Sequence, residues 1–223
     1  MRLLETSEAS ASSNMNTLLY VIVGFAILLF SIRAALGYRS YKRSVYPYIY
    51  DNYLIDYFYK LNVLQDASKS GHIKRLLGYH RLVYANLGNK EGKLCAQIVT
   101  IIHSKGLMAI AHLHNKGTLH GTDNGSWYVN RIEDGQEKKY KLENPGTYLK
   151  EYSTHLTQIL NDRKAQCLIA ISDECDISDV RSSFRICKFS ELEDIIKQAD
   201  CGYGLNDSEI DEIFTKLGGK LNH

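Results

Sequence analysis

The sequence predicts a mixed α/β domain held behind one N-terminal apolar helix. Three observations carry that reading. Residues 17–32 (TLLYVIVGFAILLFSI) contain no charge. Ala96–His103 and Leu107–His114 are apolar runs joined by Ser104-Lys105-Gly106, the pattern of a buried hairpin. Apolar residues recur every three to four positions over 149–160 and again over 206–217, which is helical spacing. The composition of the 223 residues, 44% hydrophobic and 23% charged, excludes disordered, collagen-like and purely coiled-coil chains. Lys and Arg number 27 against 25 Asp and Glu, too small an excess for a protein whose main task is coating nucleic acid. The five cysteines (Cys95, Cys167, Cys175, Cys187, Cys201) form no Cys-x-x-Cys pair, so they read as reduced thiols in a cytosolic setting.

The apolar run continues through Arg33 to Leu36, and residues 17–36 are the expected transmembrane helix. Twenty residues at a helical rise cover about 30 Å, the thickness of the hydrocarbon core. Arg33 lies near one end, where its long side chain can reach the headgroups. A cleaved signal peptide needs a basic leader, whereas this one sets Arg2 against Glu5 and Glu8. Arg33, Arg39, Lys42 and Arg43 follow the run, so the positive-inside rule puts the C-terminal domain in the cytoplasm and the short tail, 1–16, outside.

Residues 37–64 form a tyrosine-rich juxtamembrane stalk, with Tyr38, Tyr41, Tyr46, Tyr48, Tyr50, Tyr53, Tyr57 and Tyr59. After Pro47, apolar residues at Tyr50, Tyr53, Leu54, Tyr57, Phe58 and Leu61 keep helical spacing. The pattern fits either an amphipathic stalk on the membrane surface or a first helix packed on the domain. The domain proper, 65–223, opens with a polar linker at 65–71. A short helix over 72–77 is ended by Gly78, followed by a strand at 81–85, a turn at 88–92 and the hairpin. Gly117 and Gly121 punctuate the next stretch, and Trp127–Val129 reads as a strand with Trp127 in the core. Asn144-Pro145-Gly146 marks a turn, and Leu149–Leu160 a helix. Strands over 167–171 and 184–188 and a helix over 191–199 follow. Ser172–Asp176 reads as a surface loop or a cap in preference to a metal site. Asn206-Asp-Ser208 caps the last helix, making a single mixed sheet with helices around it.

Several stretches in order resemble the nuclease-related domain (NERD) family. They are GYHRLVYANL (78–87), the glycine-led HSKGLMAIAHLHNKGTLHG (103–121), SWYV (126–129) and Asn144-Pro145. ISDECDISDV (171–180) and LNDSEIDEIFTKL (205–217) are similar to the C-terminal part of Gram-positive bacterial members. The resemblance covers most of residues 66–220 and implies the restriction-endonuclease-like PD-(D/E)xK fold in a bacterial plasma-membrane protein. Such nucleases hold Mg or Mn with an Asp and a Glu, and a Lys two residues after the Glu orients the nucleophile. Carried onto this chain without gaps, the Glu falls on Ala111 and the Lys on Leu113. The Asp falls on Ile98, or on Val99 with a one-residue slip, and a helix carboxylate falls at His72. No Asp or Glu stands between Cys95 and Asn115, so the usual donors are missing.

His112 and His114, two apart on one strand, with His120 nearby, are candidate substitute ligands for zinc, copper or nickel. Strand parity opposes a simple swap, because His112 faces away from Ala111 unless a bulge intervenes. Lys60, Lys69, Lys74, Arg75, Arg81, Lys90 and Lys93 against Asp66 and Glu91 give 60–93 a basic bias suited to anionic lipid or nucleic acid. The resulting expectation is a single-pass membrane protein whose cytoplasmic domain has lost catalysis, needs no cofactor and binds nucleic acid or protein. The alternatives are an active metal-dependent nuclease with relocated ligands, and a membrane adaptor with no nucleic-acid role. No small-molecule substrate is evident. For the orientation, protease added to right-side-out vesicles is expected to leave the C-terminal domain intact, and ready digestion there reverses the assignment.

Overall fold

The computed structural model describes residues 2–42, 44–50, 71–88 and 94–219. The helical spacing over 51–61, most of the linker at 65–71 and most of the turn at 88–92 lie outside these residues. The chain divides into two compact units, 1–41 and 42–223.

The first unit is the bulk of helix α1 (Arg2–Lys42). Its stretch Leu18–Arg39 is long and apolar enough to cross a membrane, and its large apolar side chains are exposed. A soluble helix buries such a face; here hydrophobic residues point outward all round.

The second unit is an α/β domain with two sheets rather than one. Five strands form the larger sheet: β1 (His80–Gly88), β2 (Leu94–His103), β3 (Gly106–Leu113), β7 (Gln166–Ile171) and β9 (Arg185–Lys188). β1, β2 and β3 are antiparallel neighbours, and β7 and β9 add to them in parallel. The smaller sheet runs β6 (Gln136–Leu142), β5 (Trp127–Glu133), β4 (Gly117–Gly121), β8 (Cys175–Val180). β4 and β8 are also parallel, so the β3–β7 pair leaves the larger sheet and continues as the β4–β8 pair of the smaller one. The crossing is stitched by Ser172 N–H donating to the Leu113 carbonyl (3.1 Å) and Gly117 N–H to the Glu174 carbonyl (3.3 Å).

That crossing explains two departures from the expected elements. Gly117 and Gly121 bracket a strand instead of breaking one, and each is glycine for a local reason. Gly117 has φ +100°, and a Cβ on it would run into the Asn130 carbonyl. A Cβ on Gly121 would lie 2.6 Å from the Trp127 ring, which is fully buried and donates its indole N–H to the Thr122 carbonyl (3.1 Å). Ser172–Asp176 is likewise a turn that runs on into β8 rather than a loop throughout. β6 is absent from the predicted elements because the only apolar positions of QEKKYKL are Tyr140 and Leu142 at its end, too short an alternation to stand out among the lysines. The preceding Asp134-Gly135, with φ of 55° and 75°, nevertheless makes the two-residue hairpin turn.

Helix α4 (Pro145–Ile159) begins where a turn is predicted. The Asn144 side chain accepts from Gly146 N–H (2.9 Å), and Pro145 at the first helical position lacks only a donor that has no partner there. Helix α6 (Asp207–Lys216) has a full capping box, Asn206 with Glu209. Both helices lie with Leu119, Trp127 and Val129 of the smaller sheet in the core that contains Ile98, Ile102, Ala109, Ala111 and Ile169. The larger sheet's other face holds Val99, Ile101, Met108, Ile110 and Leu168. It is covered by α2 (Tyr46–Tyr50), α3 (Gly71–Leu77), the 3-10 turn Phe189–Glu191 and α5 (Leu192–Lys197). Val45, Ile49 and Tyr50 are buried there, each worth about 1.5–3 kcal/mol of hydrophobic stabilisation. Residues 44–50 of the tyrosine-rich stretch are therefore packed on the domain.

Gly117→Ala is expected to cost about 2–4 kcal/mol, since it combines a disfavoured backbone with a collision against a carbonyl. A urea midpoint measured on the full chain in detergent, unchanged from the parent, overturns this account of the corner.

Candidate functional site

The strand positions at which the NERD resemblance would put ligands lie in two cross-strand rows on the same face of the larger sheet. Ile98 on β2 pairs with Ala111 on β3, and Ala111 with Ile169 on β7; Leu113 pairs with Ile171. Ile98 is 1% exposed, and Ala111, Ile169 and Ile171 are 0% exposed. Around them stand Leu149, Tyr152 and Leu156 of α4, with Leu119 and Trp127. A polar pair on this side, Thr100 Oγ1 and Tyr152 OH at 2.9 Å, satisfies itself. Val99, the slipped alternative, faces the opposite core. His72, on α3, lies on that opposite side too, with Nε2 4.0 Å from Glu193. The structure thus brings Ile98, Ala111 and Leu113 together and leaves His72 apart from them. The buried apolar row Ile98–Ala111–Ile169 offers no carboxylate to a hard cation.

The three histidines do not share a site. His112 follows the strand parity and points into the opposite core, its ring 6.1 Å from that of Tyr46. It is nine-tenths buried, and its Nε2 meets no hydrogen-bond partner. Burial holds its pKa down at about 4. His114 lies just past the end of β3. His120 is on the smaller sheet, its Nδ1 3.0 Å from Asp179. Among the described residues no three His, Cys, Asp or Glu side chains converge on one point.

A second buried histidine was not singled out by the sequence. His103 ends β2, opposite His80 on β1. Its Nδ1 accepts from Lys105 N–H (3.2 Å), which caps the hairpin turn, and its Nε2 is buried without a partner. Burial first, then the nearby Lys105 and His80, depresses its pKa to about 4. Its work is structural, closing a turn whose far side is packed against Cys201 and Tyr203.

The more open chemistry is on the outer face of the smaller sheet. A row crosses the strands through Asp179 (β8), His120 (β4) and Tyr128 (β5), and Lys139 of β6 reaches over Tyr128 from the neighbouring diagonal position. His120 stacks on Tyr128 with centroids 4.7 Å apart and planes 15° apart, and Lys139 Nζ lies 3.5 Å from the Tyr128 centroid. Lys141, opposite Tyr128, continues the lysines along the edge strand. Ser126, Tyr128, Lys139 and Lys141 line a shallow depression there. The signal was in the sequence as period-two polar positions (Thr118/His120, Tyr128/Asn130, Lys139/Lys141), but it needs the strand register to be read as one surface. Such a row can meet a polyanion or a polar protein surface; it holds no nucleophile–base pair.

Of the basic residues in 60–93, Lys60, Lys69, Lys90 and Lys93 lie outside the described residues. Arg81 binds Asp211 (2.7 Å) and sits over the Phe214 ring, tying β1 to α6. Lys74 and Arg75 are exposed on α3. Tyr48 donates to Asp173 (2.9 Å), which also accepts from the Ser190 backbone and hydroxyl. Burial, then the bond to this carboxylate, pushes the Tyr48 phenol up to about 12. Cys167, Cys175, Cys187 and Cys201 are free thiols, and burial raises the Cys187 pKa to about 12.

No family model matches the chain, and comparison with curated proteins and with solved structures returns no match.

Both depressed histidines make stability pH-dependent. The unfolded chain takes up these protons near pH 6.5, whereas the folded one does so only near pH 4, so folding free energy is lost as pH falls through that window. Each histidine accounts for on the order of 2 kcal/mol by pH 5. His112→Phe is expected to remove its share of the loss between pH 7 and pH 5 in urea titrations. An unchanged pH slope overturns the assignment.

Proposed function

We propose that this chain is a membrane-anchored, NERD-like domain protein without catalytic activity, and that its cytoplasmic domain binds nucleic acid or protein. The observation that carries this reading is the closed apolar row Ile98–Ala111–Ile169, where a nuclease of the suspected family would need carboxylates. The apolar, outward-facing helix Leu18–Arg39 supports the anchor. The restriction-endonuclease-like identity of the fold, the cytoplasmic placement and the bacterial plasma membrane belong to the same proposal, resting on the ordered sequence resemblance and on the positive flank after the span. For the binding face we nominate the outer surface of the smaller sheet, because Tyr128, Lys139 and Lys141 lie side by side on it.

The test uses the full chain in detergent. It is incubated with plasmid and manganese, then with labelled DNA and RNA in gel-shift assays. Retardation without cleavage, weakened by salt and by the double change Lys139→Ala, Lys141→Ala, is the expected result. Manganese-dependent cleavage that survives further purification and is lost on changing an acidic residue of this chain returns the protein to the nucleases. Neither cleavage nor retardation removes the nucleic-acid role and leaves a membrane adaptor.

A further inference from the structure

Strand register lays a charge gradient across the outer face of the smaller sheet. Two complete rows run over it from β8 to β6. One is Asp176–Thr118–Asn130–Lys139, and the other is Asp179–His120–Tyr128–Lys141. Each begins with a carboxylate and ends with an ammonium. The residues alternating with them face inward: Leu119, Val129 and Cys175 belong to the core, and Tyr140 packs against it. Asp176, Asp179, Lys139 and Lys141 are exposed, and the four residues between them are half-buried. The two edges stand three strand spacings apart, about 14 Å, too far for the lysine and aspartate of one row to pair.

Such a face suits a partner that carries both signs. A polyanion is attracted at β6 and repelled at β8, whereas a second copy of this chain supplies the complement by symmetry. A half-turn about an axis lying along the strands, between β4 and β5, lays each row over the same row of the other copy, reversed. Lys139 then faces Asp176 of the second copy, and Lys141 faces its Asp179, each pair occurring twice. Ile132, 82% exposed on the same face, stands next to that axis and comes beside Ile132 of the second copy. Glu137, opposite Ile132, ends the lysine edge and confines the match to the two rows.

We infer that the outer face of the smaller sheet is a self-association surface, through which two copies of this chain pack with the lysine edge of one on the aspartate edge of the other. The inference rests on the binding face nominated above and names its occupant as protein, a second copy. Exposed charge pairs are individually weak, so the contact is reversible and sensitive to salt. Nucleic acid competes with the second copy for Lys139 and Lys141.

The experiment mixes full chains carrying two different affinity tags in detergent, captures one tag and quantifies the other. One variant combines Lys139→Glu with Lys141→Glu, and another combines Asp176→Lys with Asp179→Lys; urea midpoints establish that both are folded. Asp176 also accepts from Ser178 N–H (3.0 Å), so Asp179→Lys alone takes the place of that pair if the double change lowers the midpoint. Capture of parent by parent is expected to fall severalfold in high salt, and severalfold for each variant against itself. Mixing the two variants is expected to restore it, because one then presents acids at both edges and the other lysines. Capture that neither reversal weakens, or that both abolish and mixing does not restore, overturns the inference. If no copy captures another while labelled DNA or RNA is still retarded through Lys139 and Lys141, the second copy is wrong and the nucleic-acid reading of the face stands. If neither occurs, self-association and the nominated face fail together.

Discussion

Strand β3 has to be apolar on both sides, and the rest of the domain is arranged around that requirement. Lying between β2 and β7, it contributes Ala109 and Ala111 to one core and Met108 and Ile110 to the other. On the first side the two alanines leave room for α4, whose Leu149, Tyr152 and Leu156 lie in that core. On the second side the larger Met and Ile meet α2, α3 and α5. A carboxylate at position 111 would be buried among isoleucines and an aromatic ring with nothing to neutralise it, at a cost of several kcal/mol. The packing that makes the sheet stable and the chemistry of a cation site are therefore alternatives at this strand, and this chain has taken the packing.

The sequence made the larger sheet and its helices legible because their signals are local. The β-branched run of β2, the glycine-led β3, the periodic leucines of α4 and the Asn206 cap each point to one element without outside help. The smaller sheet was harder. β6 is lysine-rich and its inward stripe is only Tyr140 and Leu142, so the Asp134-Gly135 pair was its plainest announcement. β4 was hidden by the habit of reading Gly117 and Gly121 as breaks, although both are demanded by neighbours far off in the chain, Asn130 and Trp127. The same glycines are among the residues on which the family resemblance rests, and the corner gives them a physical reason independent of any shared activity.

For the candidate site, the sequence could state what strand parity implies, and His112 and Ala111 do face opposite cores. It could not state that His120 would lie in a different sheet, since that depends on the chain turning a corner after Leu113. Nor could it single out His103, whose burial follows from the way Lys105 and the 201–205 segment fold over the hairpin turn. The Asp179–His120–Tyr128 row, with Lys139 reaching over the tyrosine from a diagonal position, has the same origin: residues from four strands become neighbours only once the register of three pairings is known.

The docking of Val45, Ile49 and Tyr50 also determines where the molecule can be cut. A soluble fragment trimmed at the start of the domain that the sequence suggests, near residue 65, would lack these side chains and expose a trench lined by Ile73, Met108, Ile110 and Ile196 to water. Such a fragment would be prone to stick to itself, and its behaviour would say more about the missing lid than about the native protein. A fragment beginning at Ser44 keeps the lid and sheds the oily helix.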